Sequence, residues 1–139
     1  LLVPYRHDVL EGLSETPQAS VFVALLVSTG IITPIVEEFL FRVLFQGSMQ
    51  SLIDGDPVEG FDVWAPKSYW PIVITSACVS LLHLSQGAAC FPLFFLSLGL
   101  GYLYRQTGML APVLIVHLIL NTTTVCVVFA NIHLSKGGG

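Results

Sequence analysis

The chain has 139 residues, of which 54% are apolar and 10% charged, and its five basic and nine acidic side chains give a formal net charge of −4. A soluble domain carries about 25% charged residues, so this composition excludes an ordinary soluble globule, a nucleic-acid binder and a disordered segment, each of which needs charge on its surface. With a mean hydropathy of +0.81, the remaining fold class is all-α: a multi-pass bundle of transmembrane helices, integral to the membrane.

Residues 1–17 hold Arg6, Asp8, Glu11 and Glu15 and read as a charged juxtamembrane segment, in which His7 has no reason to enter the bilayer. From Pro17 to Val36 no charge occurs, and apolar character resumes after Glu37, Glu38 and Arg42 in Phe39-Leu40-Phe41 and Val43-Leu44-Phe45. A span needs about 20 predominantly apolar residues. One long helix is predicted from about Gln18 to about Leu52, bent near Gly30 and Pro34 because proline removes an i to i−4 bond.

The turn residues Asp54-Gly55-Asp56-Pro57 stop that helix and open a connector over 53–68. The connector is acidic but lacks the EF-hand ligand spacing, so it reads as a solvated loop. Trp64, Tyr69 and Trp70 read as interface anchors. From Ser68 to Tyr104 no formal charge occurs, too long a run for one span. A break at Ser85-Gln86-Gly87 predicts a second helix from about Tyr69 to about Leu84 and a third from about Phe91 to Arg105. After Thr107-Gly108 a fourth runs from Leu110 to about Leu134, followed by a tail over 135–139. Residues 18–134 thus form a transmembrane core of about four spans. A chain that begins at Leu1 and stops in Lys136-Gly137-Gly138-Gly139 reads as an excerpt of a longer protein. Its three cysteines, Cys78, Cys90 and Cys126, show no CxxC spacing and read as buried thiols rather than a disulfide framework or zinc knuckle.

Glu37, Glu38 and Arg42 carry the argument about function, because an ionisable group inside an apolar span costs several kcal/mol and is by default a functional-site candidate. Residues four apart on a helix face the same way, so Glu38 is placed to pair with Arg42, carboxylate N-terminal to cation. Glu37 has no cation within its own helix and meets Phe41 at i+4, the apolar setting suited to a general base. The two glutamates therefore separate into a structural and a reactive carboxylate. The alternative is one buried ion network that only fixes helix packing. On the fourth span His117 and Asn121 are again four apart, forming a polar stripe aimed at one point, although such residues also serve simply to join helices. His83 stands near the end of the second span. His133, sixteen residues beyond His117, lies about 24 Å further along the same helix, and Cys126 lies about 180° around it, so neither joins His117 in a site.

These residues resemble the motifs of the CPBP family, the CAAX proteases and bacteriocin-processing proteins, which includes the type II CAAX prenyl endopeptidases. Glu37-Glu38-Phe39-Leu40-Phe41-Arg42 fits EExxxR, His83 fits FxxxH, and His117-Leu118-Ile119-Leu120-Asn121 fits HxxxN. Val79 stands where the second motif usually has phenylalanine, a packing position rather than a reacting one. The resemblance covers about Ile31 to Asn121. It implies an intramembrane endopeptidase in which Glu37 and His83 activate a water, His117 and Asn121 stabilise the oxyanion, and Glu38 and Arg42 orient the site.

The family is commonly labelled metalloprotease, but the sequence contains no HExxH signature. A carboxylate and two histidines from three helices, Glu37, His83 and His117, are the set that would hold zinc if any is bound, while no firmly bound cofactor is expected. The implied partners are the lipid bilayer and a peptide or protein substrate, with prenylated CAAX tails, bacteriocin leaders and membrane-anchored regulators all open. The rival reading is a non-catalytic scaffold, immunity or transporter-like membrane protein that keeps the fold. Retention of both histidines and the asparagine weighs against it.

Overall fold

The computed structural model describes residues 19–55 and 66–137, and among these residues the chain contains helices and no strand. The charged segment 1–17, His7, Trp64 and most of the connector lie outside the described residues. The first helix, α1, runs over Ala19–Asp54 without interruption. Two stretches within it, Ser28–Ile32 and Phe39–Gly47, are wound as wider π-helical turns. The first of them contains Gly30 and ends two residues before Pro34, where the sequence predicts a bend. The cause is local: Pro34 offers the ladder no N–H, and just before it the Thr33 N–H reaches back five residues to Ser28 O.

Helix α2 covers Trp70–Leu82, with Pro71 in its first turn, where a missing N–H costs nothing. At about 1.5 Å per residue its 13 residues span about 20 Å, short of a hydrocarbon core about 30 Å thick. Of the four expected spans, three have full crossing length and the second is this shorter helix. It stops at His83, and a 3-10 segment, Leu84–Ala89, reverses the chain around Gly87 at φ 67. Helix α3, Cys90–Thr107, follows and packs most extensively on α2. It ends at Gly108 in the left-handed conformation, φ 64, which glycine adopts without strain. Helix α4, Leu110–Gly137, then packs against α1 and α3.

Side chains are distributed in the reverse of a soluble protein. Large apolar residues such as Val23, Ile32, Phe91, Phe95 and Ile119 face outward, whereas Glu38, Arg42, Gln46, Gln50, Thr75, Ser76, Ser97 and His117 are buried. An apolar exterior suits lipid, and helices in that solvent associate through close packing and interior polar contacts. The apolar core proper is small, centred on Leu100, Tyr104 and Val113.

The start of α2 is tied to the ends of α1 and α3. The Asp54 carboxylate accepts from the Lys67 and Ser68 backbone N–H groups, and Arg105 donates to the carbonyls of Pro66, Lys67 and Ser68. Tyr69 lies under the Arg105 guanidinium, 3.9 Å from the ring centroid, so it holds this clamp as well as facing outward. Of the three thiols only Cys90 is buried. Cys78 is half-buried and Cys126 exposed, which corrects the expectation of three buried cysteines: each lies on an apolar helix, but in this bundle the apolar faces are the outer ones.

Candidate active site

Glu38 and Arg42 lie one helical turn apart on the inner face of α1, 2% and 1% exposed. Arg42 Nε donates to Glu38 Oε2 at 2.8 Å, the pairing expected from i, i+4 spacing. A buried pair survives only if its remaining hydrogen-bonding capacity is met, and other helices meet it. Arg42 Nη2 donates to Ser97 Oγ on α3 at 2.9 Å, and Nη1 reaches Gln46 Oε1 at 3.4 Å. Gln46 is itself oriented by donating to Gly101 O at 2.9 Å. The second Glu38 oxygen accepts from His117 Nδ1 of α4 at 2.6 Å. One interior network therefore joins α1, α3 and α4.

Glu37, one residue earlier, points to a different partner set. Its Oε1 lies 3.8 Å from His83 Nε2, and its Oε2 lies 3.8 Å from His117 Nε2. His83 Nδ1 is 2.7 Å from the Val79 carbonyl, which only accepts, so Nδ1 carries the hydrogen. His117 Nδ1 likewise donates to the Arg42-paired Glu38. In each neutral ring the Nε2 lone pair consequently faces Glu37. A gap of 3.8 Å is too long for a direct hydrogen bond and suits a water bonded to both sides. These residues border a cavity of about 30 Å³, walled on its apolar side by Phe41, Val79 and Leu93, room for about one or two waters.

The structure thus brings together Glu37, Glu38, Arg42, His83 and His117. Asn121 sits one turn further along α4, does not border this cavity, and donates through Nδ2 to Thr29 O at 3.1 Å. The departure at Val79 has a simple consequence: it is the backbone carbonyl of that residue that holds His83, a contact independent of the side chain.

Glu37, His83 and His117 are the residues that would hold a zinc ion. Ligands about 2.0–2.1 Å from a tetrahedral zinc stand about 3.4 Å from one another on one side of the ion. Here the two imidazoles flank opposite oxygens of Glu37, each at 3.8 Å, and among the described residues no group of three His, Cys, Asp or Glu side chains is arranged to hold a metal.

Gln46, Ser97 and Gly101 belong to the site's support and were not singled out from the sequence. Gln46 had a readable signal, since Glu38, Arg42, Gln46, Gln50 and Asp54 continue one polar stripe at four-residue intervals. Ser97 and Gly101 had none, because small residues are common wherever membrane helices touch. Beside the cavity lies a wider, almost wholly apolar groove of about 560 Å³ between α1 and α2, lined by Leu40, Phe41, Leu44, Phe45, Cys78 and Leu81. Phe41 is the wall shared by groove and cavity.

A sequence model of a known family, described as type II CAAX prenyl endopeptidase Rce1-like, matches residues 19–123. No curated protein and no solved structure matches the chain.

Proposed function

The chain belongs to the Rce1-like type II CAAX prenyl endopeptidases, a family of membrane-integral peptidases, and from that premise we propose that it hydrolyses a peptide bond with a water activated by Glu37 and His83. The observation that carries the reading is the Glu37 carboxylate flanked at 3.8 Å by two imidazole Nε2 atoms on a water-sized cavity.

A water in that cavity donates one hydrogen bond to Glu37 and the other to His83 Nε2, so its lone pair is free to attack. As its oxygen bonds to the scissile carbonyl carbon, its proton passes to Glu37 and the carbonyl π pair moves onto oxygen. His117, held through Nδ1 by Glu38, stands beside Glu37 on the side where that oxyanion develops. The C–N bond then breaks, and the proton held by Glu37 passes to the leaving amine, directly or through His83. The products are a new carboxyl terminus and a free amine. Glu38, Arg42, Gln46 and Ser97 keep the His117 ring in place. No step requires a metal.

The apolar groove supports a lipidated substrate. At about 560 Å³ it falls within the size range of sites that bury a whole small ligand, roughly 300–1,000 Å³. A prenyl chain laid along it, past Phe41, leaves the adjoining peptide at the cavity.

The test is cleavage by the purified protein of a peptide with a farnesylated cysteine near its C-terminus, in water enriched in ¹⁸O. The expected result is a released short peptide, ¹⁸O in the newly formed carboxylate, and loss of cleavage in Glu37→Gln and His83→Ala. Wild-type turnover by Glu37→Gln overturns the assignment.

A further inference from the structure

Pro34 leaves a gap in the ladder of α1 three residues before Glu37. In the π-helical turn the Thr33 N–H donates to Ser28 O, and the next nitrogen in the series, that of Pro34, carries no hydrogen to offer Thr29 O. A backbone carbonyl inside a membrane protein needs a donor. Asn121 of α4 supplies one, its Nδ2 lying 3.1 Å from Thr29 O. The neighbouring residue makes this reach feasible: a Cβ on Gly30 would stand 3.1 Å from Thr122 Cγ2 and 3.7 Å from Thr122 Cα. Gly30 thus lets α1 and α4 pack closely here, a Cβ in its place needing the Thr122 methyl to give by a few tenths of an ångström.

We propose that Asn121 is a positioning residue for Glu37, its side-chain amide standing in for the hydrogen that Pro34 lacks and holding the wide turn, Ser28–Ile32, that leads into the α-helical stretch carrying Glu37. The inference rests on the reading of Glu37 as the water-activating carboxylate. One face of α4 grips this stretch of α1 at two points, with Asn121 on Thr29 and His117 between the two glutamates. The hydrogen bond to Thr29 O fixes the α1 backbone entering the wide turn. The His117 contacts fix the side chains leaving it. In this role Asn121 acts through α1, by way of the Thr29 carbonyl.

The experiment compares cleavage by purified wild-type protein, Asn121→Leu, Pro34→Ala and the double variant, with Glu37→Gln as the control for the catalytic assignment. Pro34→Ala returns a backbone N–H to the ladder and makes the side-chain donor dispensable. Asn121→Leu is expected to lower kcat on the order of ten- to a hundredfold, as a displaced catalytic group does, with KM changed by no more than about twofold. Adding Pro34→Ala should restore kcat to within about threefold of Pro34→Ala alone, since the reacting groups are then again in register. Recovery of folding by Pro34→Ala, should Asn121→Leu alone fail to fold, supports the proposal equally.

A double variant as slow as Asn121→Leu, or one that does not fold, overturns the proposal, as does undiminished activity in Asn121→Leu. If either happens while Glu37→Gln is inactive, the catalytic reading of Glu37 stands; a folded double variant as slow as Asn121→Leu returns Asn121 to the role of oxyanion donor, and undiminished activity in Asn121→Leu removes its side chain from the mechanism. Turnover by Glu37→Gln removes the catalytic reading itself.

Discussion

Replacing each of the two adjacent glutamates by glutamine should give opposite results in stability and the same result in activity. The Glu38 side chain is 3% exposed and that of Arg42 2%, and Glu38 accepts from both Arg42 and His117. Glu38→Gln leaves the Arg42 guanidinium buried without its counter-charge, a change that costs about 3–5 kcal/mol when one partner of a buried pair is removed. The Glu37 side chain is 26% exposed and its contacts to the two imidazoles are 3.8 Å long. Glu37→Gln should therefore alter stability by no more than about 1 kcal/mol, the range of partly exposed ion pairs. Unfolding of the purified variants in mixed micelles of rising denaturing-detergent fraction measures the difference, and peptide cleavage measures activity. Both variants should be inactive, Glu37→Gln as a folded protein and Glu38→Gln as a destabilised one. Glu38→Gln combined with Arg42→Met removes both charges and should recover much of the stability, but not activity, because His117 Nδ1 still lacks its carboxylate. Equal stability of the two single variants would refute the division of roles.

Three further outcomes follow from the surroundings of the site. Ser97→Ala removes the acceptor of Arg42 Nη2 and should cost about 1.5–3 kcal/mol, as for a hydrogen bond to a charged group, with Ser97→Thr retaining more stability in the same unfolding assay. Gly101→Ala places a Cβ 2.9 Å from both Gln46 Oε1 and Ile72 Cγ2, and its overpacking should cost about 1–3 kcal/mol and slow cleavage by shifting Gln46 off Arg42. Exhaustive chelation should leave most of the activity, whereas chelator-sensitive cleavage restored by stoichiometric zinc would overturn the metal-free mechanism while leaving the peptidase assignment intact.

The substrate groove can be probed through its own thiol. Cys78 lines it, so a bulky thiol reagent applied to Cys126→Ser protein should raise KM for a lipidated peptide. An unchanged KM after complete modification of Cys78 would remove the groove from substrate binding.

Much of this organisation is legible along the chain because it is local. Apolar runs interrupted by Asp54-Gly55, Ser85-Gln86-Gly87 and Thr107-Gly108 mark the helices and their ends, since the hydrophobic thickness of a bilayer sets how long such runs must be. The helical repeat alone pairs Glu38 with Arg42 and leaves Glu37 without a cation on its own helix. The wide turn before Pro34 is equally local, a consequence of one missing hydrogen.

What links one helix to another is not local. His117 reaches Glu38 across 79 positions, Asn121 reaches Thr29 across 92, and Arg42 reaches Ser97 across 55. Side-chain periodicity says which residues share a face, but not how far a neighbouring helix is rotated or slid along it. Those two quantities depend on close packing at sites such as Gly30 against Thr122 and Gly101 against Gln46. For that reason the polar stripe of His117 and Asn121 was visible in the sequence as one feature. In the folded bundle it divides, with His117 turned to the two glutamates and Asn121 to the carbonyl that Pro34 leaves without a backbone donor.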